Sequence, residues 1–244
     1  MDAAYIDDTF TPVADRILYR DDDLVAVNKL AGEVVHMSKM VHNASSVLLR
    51  ELRGVIGPNV YPIHRLDRKT SGVVLFARHA DSARAIQSLF LTGAVKKTYS
   101  AIVRGFVPDS FELDSPMEND RGKVQDALTR GSRVRHFEID FPHNGFETSR
   151  YALVDLQPKT GRYHQLRKHM AHFRHPIIGD RPHGCCQQNR IWKQEFGNDR
   201  MFLHARLIEL EHPTTKSTLI IEAPYEASFE VGLNFLISRD QLSI

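Results

Sequence analysis

Cysteine is nearly absent: 2 in 244 residues, side by side at Cys185 and Cys186. Neighbouring cysteines do not easily meet disulfide geometry. Two of them with no C-x-x-C partner also make a poor zinc site. Free thiols in a reducing cytoplasm are the expectation. No apolar run approaches the roughly eighteen residues of a membrane span. The first fifteen residues carry four aspartates and no lysine or arginine, the reverse of an export signal. There is no glycine-rich phosphate loop and no G-x-S-x-G elbow, so neither a nucleotide cofactor nor serine hydrolysis has support. Four histidines crowd one segment, His164, His169, His172 and His175, but at spacings of five, three and three with no acid between them. A zinc helix uses an i,i+4 pair plus a carboxylate, so no metal is expected.

What is present describes a globular chain. Hydrophobic residues make up 42% and charged residues 25%, enough for a real core. Net charge is only +2, but it is unevenly spread. Arg162, Arg167, Lys168, Arg174, Arg181, Arg190 and Lys193 stand against the single acid Asp180. Arg121, Lys123, Arg130, Arg133 and Arg135 stand against Asp126. Such faces suit a polyanion such as RNA, or are simply solvated.

Residues 1–15 read as a flexible acidic extension and 16–244 as one domain. "LVAVN" (24–28), "GVVLFAR" (72–78), "VKKTYSAIVRG" (95–105), "HFEIDF" (136–141) and "YALVDLQP" (151–158) read as strands. A helix capped by Ser45 or Ser46 carries Leu48, Leu49 and Leu52 and ends at Gly54. A second carries Ala83, Ile86, Leu89 and Phe90 and stops at Gly93. A third spans 163–174 and a last one 226–238. The segments around 203–213 and 217–224 form a hairpin over Thr214–Lys216. Residues 106–132 lack periodicity and read as a long loop or arm. The class is α+β, with a mixed, mostly antiparallel central sheet and flanking helices and loops.

Individual residues leave choices open. Asp67, between Arg65 and Arg68, suits a surface ion pair of little worth. It also sits among turn formers at the mouth of a buried strand, where a firmly held carboxylate can serve as nucleophile or base. Arg167 lies beside the apolar stripe of Leu166 and Met170. A half-shielded arginine either snorkels or takes a carboxylate, and pairing with Asp67 would keep that acid ionised. Tyr99, near Lys96 and Lys97, is a packing residue or a platform for a base.

Together these stretches resemble a family. "HRLDRKTSG" (64–72) resembles the signature of the RluA-type pseudouridine synthases, in which the aspartate is catalytic. "ILYRDDDLVAVNKLAGEVVH" (17–36), "KKTYSAIVRG" (96–105), "PKTGRYHQLRKHMAHFRHPIIGD" (158–180) and "LHARLIELEHP" (203–213) resemble further motifs in the family's order. One departure is Leu30, where the family usually carries proline. Within the family the likeness is to a tRNA-modifying branch without an S4-like domain, partly through "HGCCQQNRIWKQEFG" (183–197). The resemblance implies a pseudouridine synthase fold and conversion of a uridine, uridine 65 of tRNA, without cofactor or metal. It implies catalysis by Asp67 with Tyr99 and Arg167, and substrate binding by Arg65, Leu166, His164, Arg162 and Lys97. Arg65 would fill the gap left by a flipped base, and Asp67 would act on sugar, base or C2′. A cytoplasmic monomer with tRNA as its partner and no membrane follows. The rivals are the same chemistry on ribosomal RNA, a non-catalytic RNA-binding protein, and a metal-dependent hydrolase.

Overall fold

The computed structural model describes residues 11–36, 47–119, 122–143 and 145–243. The chain opens with a 3-10 turn, Val13–Arg16, on which Val13 is buried. β1 (Ile17–Arg20), β2 (Leu24–Lys29), α1 (Leu48–Ile56), β3 (Tyr61–Pro62), β4 (Ser71–Ala77) and α2 (Ala80–Leu91) follow. Next come β5 (Lys96–Arg104), β6 (Ser110–Asp114), β7 (Met117–Glu118), β8 (Val124–Gln125), β9 (Leu128–Ile139) and β10 (Ser149–Pro158). The chain closes with α3 (Gln165–His172), α4 (Cys186–Gln194), β11 (Leu203–Glu211), β12 (Thr218–Glu222) and α5 (Ala227–Arg239). Among the described residues no helix is long and apolar enough to cross a membrane.

Contacts group the chain into two compact units. The first runs up to Lys97 and takes back His204–Glu226; the second holds Thr98–Leu203 and the residues from Ala227 on. In the first unit β2 and β4 run antiparallel, with Leu24 opposite Ala77 and Lys29 opposite Gly72. The other edge of β4 takes β11 in parallel at Ser71 and Gly72 and β3 at its far end. All seven residues of β4 are buried, which is why it reads as an unbroken apolar run. Leu24, Ala26, Val73, Leu75, Ile86 and Ile208 share one core. α2 presents Ala83 and Ile86 to it, and Gly93 at φ +74° follows the helix.

The second unit stacks β5, β10, β9 and β6 antiparallel. Its core joins Ala101, Val103, Val154, Leu166, Met170 and Leu203, with Tyr99, Phe111 and Phe173 packed against it.

Four expectations need correction. Residues 106–132 are not a loop: β6 and the first half of β9 are paired strands, Phe111 opposite Gly131. α1 passes through Gly54 and ends at Gly57, at φ +102°; its expected serine caps lie outside the described residues, and Val47 stands at the N-cap. α3 begins at Gln165, not at 163, because His164 takes the left-handed conformation, φ 55°. Residues 186–194, read only as an insert, form α4.

Candidate active site

Asp67 sits on the loop between β3 and β4, in the first unit. Its carbonyl accepts from Thr70 N at 3.0 Å, closing a turn. The carbonyl of the next residue, Arg68, accepts from Gly32 N at 2.7 Å and from Lys29 Nζ at 3.1 Å. Lys29 is fully buried, and its ammonium also donates to Leu30 O at 2.8 Å and Glu33 O at 3.0 Å. All three ammonium hydrogens are thus used on backbone carbonyls. Burial pushes the Lys29 pKa down to about 8, while the charges of Glu33, Glu226 and Asp67 oppose that fall. The peptide carrying Asp67 is therefore pinned to the end of β2. Asp67 itself is half-buried and Arg65 is exposed.

The Leu30 departure has a physical reason. Leu30 N donates to Glu33 Oε2 at 2.9 Å, a bond proline cannot make. Glu33 in turn grips the buried Arg16 guanidinium at 2.8 and 2.9 Å.

His64 opens the motif. Leu75 N donates to its Nε2 at 3.0 Å, and its ring stacks on Phe90 at 4.9 Å. Burial, with the Lys97 charge second, pushes its pKa down to about 3. Lys97 is half-buried, with its ammonium 5.8 Å from the Phe90 ring centre, and burial lowers its pKa.

The second unit holds the other candidates. Leu166 on α3 is a buried member of the second unit's apolar cluster, and Tyr99 on β5 packs against that cluster. Arg162 is half-buried and donates through Nε to Asp126 O at 2.9 Å. His164 pairs through Nδ1 with His183 Nε2 at 3.0 Å and stacks on Tyr163 at 3.8 Å. A non-glycine residue held left-handed at the head of a helix is the kind of strain that marks functional sites. Arg167 is buried, and its guanidinium forks onto Asp180 at 2.8 Å through both Nε and Nη2. The sequence reading foresaw a carboxylate for Arg167 but missed Asp180. Asn189 on α4 was missed as well. It accepts from Gly179 N and donates to Asp180 O, both at 2.8 Å, so α4 fixes the turn that carries Asp180.

The crowded histidines do not converge. His169 spends Nδ1 on Thr129 Oγ1 at 2.9 Å and Nε2 on Ser115 O at 3.2 Å, and His175 turns to Arg104 O at 2.9 Å. Among the described residues, Asp21, Asp23 and His212 are the only group of three or more such side chains close enough together to share an ion. Yet Thr214 N and Thr215 N both point at His212 Nδ1, at 3.2 and 3.1 Å. The hydrogen therefore sits on Nε2, which donates to Asp21 at 2.7 Å. A nitrogen that carries a hydrogen cannot ligate, so the trio is a hydrogen-bonded brace.

The first unit thus holds a half-buried carboxylate on a pinned turn, and the second holds a buried arginine anchored by Asp180. The chain belongs to the RNA pseudouridylate synthase family, whose model matches residues 23–172. Pseudouridylate synthesis is an isomerisation, so the enzyme class expected from the sequence stands. The curated relatives are more particular. The chain is 41% identical over 218 residues to tRNA pseudouridine synthase C of Vibrio cholerae, covering 85% of this chain and 89% of that one. It is 43% identical over 228 residues to the protein of the same name from Salmonella typhimurium, covering 89% and 88%. A solved structure, human RNA pseudouridylate synthase domain containing 4, covers 92% of this chain and 94% of its own at a TM-score of 0.72 and 26% identity.

Proposed function

We propose that the chain converts a uridine of tRNA, uridine 65, to pseudouridine, with Asp67 as the catalytic residue. The observation that carries this is the Asp67 turn: a half-buried carboxylate whose following carbonyl is held by a buried ammonium. The names of the relatives support tRNA as the substrate.

The reaction breaks the bond from ribose C1′ to uracil N1 and makes one from C1′ to C5. C5 gives up its proton and N1 gains one, so product and substrate are isomers and no redox partner is needed. The target base must leave its stack, at a cost of a few kcal/mol. Arg65, exposed on the same loop, is the planar group that takes its place. Tyr99 stacks on the flipped uracil against the Leu166 wall. The family resemblance gives Arg167 a catalytic role, and its guanidinium is fixed by Asp180. Lys97, His164 and Arg162 bind the flanking backbone. The protein acts as a cytoplasmic monomer without cofactor or metal.

Asp67→Asn should abolish pseudouridine formation and leave tRNA binding largely intact. Turnover by that variant would remove Asp67 from the chemistry. Pseudouridine mapping of tRNA and ribosomal RNA, with and without the protein, should show one tRNA site that depends on it. A dependent site in ribosomal RNA alone would favour the rival substrate. A chelator should leave the rate unchanged.

A further inference from the structure

The second unit contains a basic pocket that the reaction above does not use. It encloses about 230 Å³ and is lined by Gly179, Arg181, Cys186, Asn189, Arg190, Lys193 and Asp199. Three side chains are cationic and one is anionic. At about 30 Å³ per water the space suits a handful of waters, or one phosphate group with a few of them. The Asp199 carboxylate stands between Arg181 Nη2 at 3.6 Å and Lys193 Nζ at 3.5 Å. These are loose contacts, and all three side chains are more than half exposed. Ion pairs of that kind contribute little, so a better-charged acceptor displaces the carboxylate at small cost.

The floor of the pocket is rigid. Gly179 holds φ +79°, and a Cβ there would fall 1.6 Å from Arg200 O. Asn189 ties both the Gly179 amide and the Asp180 carbonyl to α4. The same Asp180 holds Arg167 through its carboxylate. One turn thus supports the pocket on one side and anchors the arginine on the other.

We propose that this pocket is a phosphate subsite for the RNA backbone. A phosphodiester displaces Asp199 and is held by Arg181, Arg190 and Lys193, at a position fixed relative to Arg167. The inference rests on tRNA being the substrate. The chemistry fits because a phosphodiester offers two charged oxygens to a planar guanidinium fork and an ammonium. An acidic polypeptide is the competing occupant.

The test compares wild type, the double variant Arg190→Ala/Lys193→Ala, the single variant Asp199→Asn, and a charge control, Arg84→Ala/Lys216→Ala, altered in the first unit. For a tRNA transcript the double variant should bind about tenfold more weakly. The slope of log affinity against log salt should flatten by about one, as for one lost phosphate contact. kcat/KM for pseudouridine formation should fall by the same factor. Asp199→Asn should bind a few-fold more tightly, and the control should match wild type. In protein carrying Cys185→Ser, tRNA should slow alkylation of Cys186, which is exposed and lines the pocket.

A double variant that matches the control, with unprotected Cys186, overturns the subsite. So does a double variant that loses affinity for polyglutamate while keeping its affinity for tRNA. A wild type that forms no pseudouridine in tRNA overturns the functional reading instead, so the two failures are distinguishable.

Discussion

His64 shows how much one side chain commits. Its Nε2 can accept the Leu75 amide only while the ring is neutral. Its pKa stands at about 3, below the ordinary 6.5. Between those values the unfolded chain binds a proton that the folded chain does not. This contribution is complete above pH 6.5 and is lost as pH falls toward 3. Denaturant midpoints should therefore decline as pH drops from 6.5 to 4, and His64→Gln should flatten that decline. An equally steep decline in the variant would assign it to other groups. Asp180 makes a second prediction at this scale. Asp180→Ala leaves the buried Arg167 without its fork, which should cost about 3–5 kcal/mol, read by chemical denaturation, together with most of the activity. The motif made Arg167 legible as a residue that needs a carboxylate. The identity of that carboxylate was not legible, because a lone acid among seven cations in sequence looks like a spacer until the turn at Gly179 folds it back.

At the scale of elements, apolar periodicity succeeded where side chains face a core and failed where they do not. β4 was legible because both its faces are covered. The first half of β9 was not, because its inward positions are Thr129 and Gly131. Gly131 is small because the Phe111 ring lies over it, 2.2 Å from where a Cβ would stand. The apolar contribution belongs to the partner strand, so β9 alone reads as polar loop. α3 was found, but its start was set two residues early, since no pattern announces that His164 turns left-handed. Gly72, the last residue of the "HRLDRKTSG" motif, carries the prediction here. It holds φ +111°, and a Cβ would fall 2.2 Å from Ala205 O, where β4 meets β11. Gly72→Ala should destabilise by about 3 kcal/mol or more. A variant with an unshifted melting curve would mean the strands part more easily than their geometry implies.

For the whole molecule, net charge misleads. At +2 the chain looks indifferent to polyanions, yet its cations collect in the segments 121–135 and 162–193. tRNA affinity should fall steeply with salt, with a log–log slope of about −3 or steeper if at least three phosphates are held. A slope near zero would mean that the basic segments are merely solvated. The family was legible from ordered motifs. The division into two units was not, because residues up to Lys97 close against His204–Glu226, more than a hundred positions later, and no local pattern reports such a return.

The buried ammonium of Lys29 should set an alkaline limit on turnover. With three hydrogens it serves three carbonyls; as a neutral amine it has two. Near pH 8 one carbonyl is orphaned and the buried charge that holds the Arg68 carbonyl is gone. Its pKa lies below the ordinary 10.5, so from pH 8 to 10.5 the unfolded chain holds the extra proton and this group's contribution to stability rises with pH. Rate and stability should therefore part company. kcat should descend with a midpoint near pH 8 while this group does nothing to lower the melting temperature. A flat rate profile through pH 9 would show that two hydrogens are enough.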